Sequence, residues 1–175
     1  MMRAHDPRRR ALMIATCCAL AGCGTISGGT PEGGISGLEA PLAPIGGSAA
    51  TGSARFVARG DGATMLVQIN GLPPGRFRVM VHANGNCSSP NGFSAGPPWS
   101  PAGASAPLYD RLPVLTTNTE GTGTLTVRLS GVLLRDLSGK SVVLHDSVNG
   151  PFTAEPDVRN DRIACGVIGP IRTLL

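Results

Sequence analysis

The chain has 175 residues, with 25 glycines, 15 prolines and few aromatic side chains (four Phe, one Tyr, one Trp). This length predicts one domain, and the glycine and proline content excludes long uninterrupted helices and favours a turn-rich β architecture. The formal charge of +4 falls to +1 once the four arginines and one aspartate of residues 1–22 are set aside. No basic stripe for phosphates remains, so nucleic acid is not a predicted partner.

The N-terminal segment is typical of an export signal, with cationic residues 1–10 followed by a short apolar stretch at 11–22. Residues 20–23, LAGC, resemble the lipobox of bacterial lipoproteins. This resemblance implies cleavage before Cys23 and lipidation of its thiol. Gly24 stands where an aspartate would retain such a protein in the inner membrane, which implies outer-membrane anchoring. An ordinary secretory signal and twin-arginine export are the alternatives.

The segment after the lipobox has the composition of a flexible linker. Residues 23–52 are rich in Gly, Ser, Ala, Pro and Thr, and neither the helical nor the strand period persists in them. We therefore predict a signal peptide at 1–22, a lipidated cysteine and tether at 23–52, and a folded domain at 53–175. The tether would hold the domain away from the bilayer to which Cys23 binds.

The cysteine count predicts one disulfide. Cys17 and Cys18 belong to the predicted signal and Cys23 to the lipobox, so the folded domain keeps Cys87 and Cys165. In an oxidising envelope compartment two such thiols are expected to form a bridge. Two free buried thiols are the alternative.

Short strands dominate the rest of the chain. Six segments of alternating or β-branched residues are bounded by Gly, Pro, Asn and Asp: 54–58, 64–69, 77–82, 122–129, 141–145 and 162–168. Many short strands without a convincing helix predict an all-β sandwich or barrel. Residues 85–113 are too long and irregular for a hairpin turn, so we expect a functional loop that Cys87 ties down.

Several motifs carry a family resemblance. Residues 76–82, RFRVMVH, alternate so that Val79 and Val81 face a core while Met80 and His82 face away from it. Together with the ANGNC that follows, this strand resembles the signature of the Cu/Zn superoxide dismutase family. Four further stretches agree in order and spacing: GLPPG at 71–75, SAGP at 94–97, GKSVVLH at 139–145 and RIACGVIG at 162–169. The resemblance implies an eight-stranded Greek-key β-barrel with two long loops.

The resemblance also implies a copper site, from which this chain departs. The family holds copper with four histidines, and His82 and His145 match the second and the fourth of them. Met80 stands at the first position and Pro98 at the third, which bridges copper to zinc. We expect at most one copper ion, at His82 and His145 with Met80 as a candidate third ligand, and this donor set favours Cu(I). Alternatively, Met80 fills space in an apolar layer and the two histidines hydrogen-bond each other without metal.

Zinc is not an expected cofactor, because no histidine lies between positions 82 and 145. Arg111 stands where the family has its zinc aspartate, which leaves Asp110 as a single carboxylate, whereas zinc takes about four ligands. Arg162, three residues before Cys165, matches the arginine that guides anions to the metal in the family. Its alternative role is to pin the disulfide loop.

These observations leave three functions open. The favoured one is an envelope lipoprotein of the dismutase family with a degenerate site, a weak copper binder with little or no dismutation. The second is an active copper-dependent superoxide dismutase that removes extracytoplasmic superoxide. The third is a structural or interaction module without metal. Superoxide and copper are the candidate small ligands, the bilayer is the partner implied by Cys23, and no residue indicates an oligomeric state.

Overall fold

The computed structural model describes residues 37–146 and 161–171. Within them the strands are β1 (Gly37–Pro44), β2 (Thr51–Arg59), β3 (Gly62–Asn70), β4 (Gly75–His82), β5 (Leu115–Thr117), β6 (Gly123–Ser130), β7 (Ser141–His145), β8 (Arg162–Val167) and β9 (Gly169–Pro170). The helical elements are one short α-helix, α1 (Leu134–Leu137), and two 3-10 turns, Phe93–Ala95 and Leu108–Arg111. None of these described helices is long and apolar enough to cross a membrane.

Eight strands close into an antiparallel barrel in the order β1-β2-β3-β6-β5-β4-β7-β8, with β8 pairing back to β1. The two-residue strand β9 pairs with β1 as well. The chain leaves β3 for β4, which is not its neighbour, and returns so that β6 pairs with β3. This crossover makes the barrel a Greek key. The predicted all-β, eight-stranded Greek-key fold is therefore confirmed.

The barrel interior is filled by every second residue of the strands. Phe56 on β2 and Met65 on β3 are fully buried, and Val79 and Val81 on β4 are 2% exposed. The buried cluster also draws on β1, β6, β7 and β8. Burying a side chain of this size contributes about 1.5–3 kcal/mol, so this cluster supplies the main driving force for folding. Because the β4 valines point inward, the alternate residues of β4 lie on the outside of the barrel wall.

The prediction of a tether over residues 23–52 is wrong for its C-terminal part. Residues Gly37–Pro44 form β1, which pairs with β2 and β8 and so closes the barrel. Leu38, Ala40 and Leu42 alternate into the core and are at most 4% exposed. The folded domain therefore begins no later than Gly37 rather than at residue 53. The predicted signal peptide, Cys23 and residues 24–36 lie outside the described residues.

All six predicted strands are present, each within about three residues of its predicted ends. Strands β1, β5 and β9 were not predicted from the sequence. The last two contain only three and two residues, too few for alternation to be visible.

Candidate metal centre

The candidate site lies on the outside of the barrel wall, across β4 and β7. Met80 on β4 is in register with Val143 on β7, and His82 is in register with Ser141. His145, at the end of β7, is opposite Arg78. Because paired residues share a face of the sheet, both histidines and Met80 point to the same side of the wall. Residues 85–113 cover this side, so Met80 is only 1% exposed and His82 is fully buried.

The two histidines contact each other directly. Nε2 of His82 lies 3.1 Å from Nε2 of His145, and the two rings meet end to end with their centroids 5.3 Å apart and their planes 16° from parallel. The paired residues Met80 and Val143 lie between the two histidines along the strands, because His82 is two residues beyond Met80 on β4 and His145 is two residues beyond Val143 on β7. The structure therefore brings together two of the residues predicted to bind copper, and their role as metal ligands stays a prediction.

The neighbours of the histidine pair fix where its protons lie. Nδ1 of His82 is 2.8 Å from the carbonyl oxygen of Gly96, which can only accept, so this nitrogen donates. A neutral His82 then has a lone pair on Nε2, and Nε2 of His145 donates to it. Nδ1 of His145 is 3.2 Å from Oδ1 of Asp161.

Burial keeps His82 neutral. The pKa of His82 is lowered from 6.5 to about 3, mainly by desolvation, and electrostatic interactions with His145 and Arg162 contribute to this shift. The hydrogen bond to Gly96 and the interaction with Asp161 oppose it. His82 is therefore uncharged at physiological pH, and its Nε2 lone pair is the acceptor in the bond with His145. A neutral imidazole nitrogen is the form that binds metal.

The two remaining copper positions of the family carry no imidazole. Met80 lies in the row between the histidines, with its thioether as its only candidate donor. Pro98 forms a β-bridge with His82, flanked by hydrogen bonds from Trp99 N to Val81 O (2.8 Å) and from Ala83 N to Pro97 O (2.9 Å). Pro98, which matches the position of the bridging histidine in the family, therefore lies beside His82. Its side chain can neither bind metal nor carry a proton.

Arg162 ties the covering loop to β8. Its Nη1 donates to Gly92 O at 2.6 Å and its Nη2 donates to Gly96 O at 3.2 Å, and its guanidinium lies over the ring of Phe93. The side chain is 6% exposed, and this desolvation lowers the pKa of Arg162. The geometry fits the pinning role considered for this residue, while its role in guiding anions stays a prediction.

Gly92 has to be glycine for this contact to form. Its φ is +73°, in the left-handed region, and an added Cβ would lie 2.6 Å from Cδ1 of Ile45 and 3.2 Å from Cδ of Arg162. A side chain at this position would be strained and would push the loop off the arginine.

The predicted disulfide between Cys87 and Cys165 is confirmed, with the two Cα atoms 5.7 Å apart. Cys165 is opposite Val143 and therefore lies on the same outer face as Met80. The bridge packs with Val143 and Ala95 in a small apolar cluster separate from the barrel core. The loop that covers the histidines is thus held by one covalent link and by Arg162.

The zinc position is not built to hold the metal. Asp110 and Arg111 are the exposed residues of the 3-10 turn Leu108–Arg111, and Nη1 of Arg111 is 3.4 Å from Ser130 O. Across residues 37–146 and 161–171, no three His, Cys, Asp or Glu side chains cluster as a metal site would require. The donor set described here therefore does not fit zinc.

The sequence reading missed Asp161 as a partner of His145. Asp161 immediately precedes β8, whose first residue Arg162 pairs with His145 across a register shift, and Asp146 N donates to Asp161 O at 2.8 Å. In the sequence, the only indication of this contact was that Asp161 is next to Arg162. The pairing of β7 with β8, which brings Asp161 to His145, could not be inferred from the sequence.

Comparisons with known proteins agree with this fold. Residues 50–168 match the sequence profile of the copper/zinc superoxide dismutase (SODC) family. This match covers well over half of the chain, so the protein belongs to the copper/zinc superoxide dismutase family, as its motifs predicted. A similar solved structure is that of the clock protein EA4, with a TM-score of 0.62 and 25% identity, covering 78% of this chain and 96% of that chain. A search of curated protein sequences gave no match.

Proposed function

We propose that this protein is an envelope lipoprotein that belongs to the copper/zinc superoxide dismutase family but has a degenerate metal site. The site would bind at most one copper ion, weakly, and dismutation by this protein would be slow or lost. The observation that carries the proposal is the contact between His82 and His145 in a site where Met80 and Pro98 occupy the other two copper positions. Two imidazoles are half of the four that the family uses. The loss of the bridging imidazole also removes the group that supplies a proton to the product.

The site keeps some of the donors that copper needs, namely two imidazoles and one thioether. The Nε2 atoms of His82 and His145 would hold it, because these are the two nitrogens that face each other, and Met80 is the nearest candidate for a third donor along the strand row. When bound, copper supplies the one-electron chemistry of the family. Binding has to remove the proton that the two nitrogens share, so copper and the proton compete for the same lone pairs. This competition weakens the affinity further.

The metal-free module is the second candidate, and one observation favours it. The Gly96 carbonyl, His82, His145 and Asp161 form a continuous hydrogen-bonded chain that needs no metal. Within the described residues, no buried side-chain nitrogen or oxygen lacks a partner. The pair would then stabilise the attachment of the loop to the barrel and nothing else.

Metal content measured per chain separates these candidates. Protein purified from the cell envelope, and protein reloaded with copper under reducing and under oxidising conditions, would be analysed for copper and zinc. We expect up to one copper per chain, held better under reducing conditions, and no stoichiometric zinc. His82→Ala and His145→Ala should each abolish copper binding, whereas Arg76→Ala on an exposed part of β4 should not. No copper in either condition would leave the metal-free module.

Anchoring through acylated Cys23 in the outer membrane is part of the same proposal. It is supported by residues 20–23 and by Gly24. Mass spectrometry of the mature N-terminus tests it. We expect a peptide that begins at Cys23 and carries acyl chains, and an unmodified N-terminus at another residue would contradict the proposal.

A further inference from the structure

One outer face of the barrel combines apolar side chains with arginines. On β2, Ala54 and Phe56 point into the core, so Arg55, Val57 and Arg59 point outward. We call the outward surface around Val57 the arginine face, and it consists of Arg55, Val57, Arg59, Leu66, Arg128 and Ile171. Val57 is 51% exposed and Ile171 is 39% exposed, both high values for large apolar side chains.

The register of four strands makes this face continuous. Val57 is opposite Gly37 on β1 and Thr64 on β3, and Thr64 is opposite Arg128 on β6. A shallow hollow of about 360 Å³ follows the same rows, lined by Arg55, Val57, Arg59, Thr64, Leu66 and Thr126. The face is therefore a broad surface rather than a set of isolated side chains.

The charge of the arginine face is positive. Nε of Arg55 is 2.8 Å from Glu39 Oε1, and Nη2 of Arg128 is 2.7 Å from Asp61 Oδ1. Within the described part of the chain, no carboxylate forms an ion pair with Arg59. Three guanidinium groups against two carboxylates leave a net charge of +1 around exposed apolar groups. This combination suits a surface that is anionic outside and apolar beneath.

The described part of the chain begins at the arginine face. Gly37 is the first described residue, it is opposite Val57, and a Cβ on it would lie 2.6 Å from Cδ1 of Ile171. Thirteen residues, 24–36, join Gly37 to Cys23. A chain of that length spans at most about 45 Å when fully extended and about 20 Å on average when flexible. Lipid on Cys23 would therefore hold the arginine face within reach of the membrane surface.

We propose that the arginine face lies on the anionic headgroup layer of the membrane in which Cys23 is anchored. This inference rests on the lipid anchor of the proposed function but not on metal binding. A second copy of the chain fits the face less well, because a symmetric dimer would bring one positive surface against an identical one. Contact with the headgroups would bury Val57 and Ile171 and bring Arg59 to lipid phosphates.

Vesicle binding tests the inference without the contribution of the acyl chains. The probe would be the mature chain with Cys23→Ala, co-sedimented with vesicles of phosphatidylcholine alone or with added phosphatidylglycerol. We expect binding only when phosphatidylglycerol is present, weakened by salt. Each arginine near an anionic surface is worth about fivefold in affinity, so Arg59→Glu should weaken binding on the order of tenfold or more. Val57→Ser should weaken it as well.

Arg76→Glu is the matched control. Arg76 is also an exposed arginine, but it is opposite Thr116 on β5, at the other end of the barrel. The Arg76→Glu variant should bind vesicles as strongly as the chain without this substitution. Equal binding to both kinds of vesicle, or equal loss in Arg76→Glu and Arg59→Glu, would overturn the inference. A dimer in solution that Val57→Ser dissociates would also overturn it, in favour of an interface between copies. An unmodified Cys23 in native protein would instead remove the anchor, independently of vesicle binding.

Discussion

Nε2 of His145 donates to Nε2 of His82 across 3.1 Å, although 63 residues separate the two histidines along the chain. The bond joins the far end of β7 to the end of β4, and Asp161 and Gly96 extend it at either side. In a family that uses four imidazoles to hold copper, two histidines that complete each other's hydrogen bonds are a stable arrangement in their own right.

His82 should make the protein less stable in acid. Its folded pKa is about 3 and its ordinary value is 6.5. Between pH 6.5 and 3, His82 is protonated in the unfolded chain but not in the folded chain. The free energy of unfolding therefore falls as the pH falls through this range. The slope from this group is at most about 1.4 kcal/mol per pH unit.

Urea unfolding at several pH values would measure this slope in the wild type and in His82→Gln. The variant should lose the His82 contribution, so its stability should fall less steeply between pH 6.5 and 4. Parallel curves for the two proteins would show that His82 protonates freely in the fold, contrary to its burial.

Arg162→Ala should destabilise the covering loop. The substitution removes the two guanidinium hydrogen bonds, while Gly92 O keeps its bond from Ala95 N and Gly96 O keeps its bond from His82 Nδ1. The expected cost is therefore that of lost hydrogen bonds from a charged donor, about 1.5–3 kcal/mol each. Arg162→Lys should recover part of the loss, because an ammonium can reach one carbonyl but not both in the geometry of a guanidinium.

Hydrogen exchange of residues 85–113 reports on this loop directly. We expect faster exchange there in Arg162→Ala, an intermediate rate in Arg162→Lys, and no change in Arg76→Ala. Unchanged exchange in Arg162→Ala would contradict the role of Arg162 in holding the loop.

Removal of the disulfide should cost more than any single hydrogen bond. The bridge joins residues 78 apart, and in the chain-entropy model a loop of this size is worth about 4 kcal/mol. Cys87→Ser with Cys165→Ser should lower the free energy of unfolding by about 2–5 kcal/mol, measured by chemical denaturation. Thiol labelling of denatured, unreduced wild type should detect neither Cys87 nor Cys165. A double variant as stable as the wild type would contradict the structural role of the bridge.

Met80→His should return a third imidazole to the site. Met80 shares its face with both histidines and is 1% exposed, so a histidine here would enter the same buried layer. Cu(II) affinity should rise by more than the roughly 10- to 100-fold that outer-shell partners contribute, because a nitrogen ligand is gained outright. Isothermal titration with Met80→Leu as the control for packing measures the change. Equal Cu(II) affinity in Met80→His and the wild type would show that position 80 does not face the metal.

The sequence predicted the strands whose alternation is carried by large side chains, such as those on β3 and β4. It did not predict β1, although Leu38, Ala40 and Leu42 alternate there, because Pro41 and the surrounding Gly, Ala and Ser are typical of a linker. Pro41 is tolerated where β1 changes partner, from β2 up to Leu42 to β8 at Ala43. Such a change of partner depends on barrel closure, which no local pattern specifies.

The candidate site was predictable to a similar extent. His82 and His145 could be found because their motifs are local, and Cys87 and Cys165 because few cysteines remain in the domain. Asp161 could not, since it meets His145 only through the irregular pairing of β7 with β8. The direction of the hydrogen bonds likewise requires the Gly96 carbonyl, which the folded loop brings to His82.

The most direct test of the degenerate site is the rate of superoxide dismutation by copper-supplied protein, measured per chain beside a complete member of the family. His82→Ala and His145→Ala would be assayed in parallel, so that any rate from free copper is recognised. The account predicts a wild-type rate close to that of the two variants and far below that of the complete family member. A wild-type rate near that of the complete enzyme, abolished by either substitution, would contradict it and show a working copper-dependent dismutase.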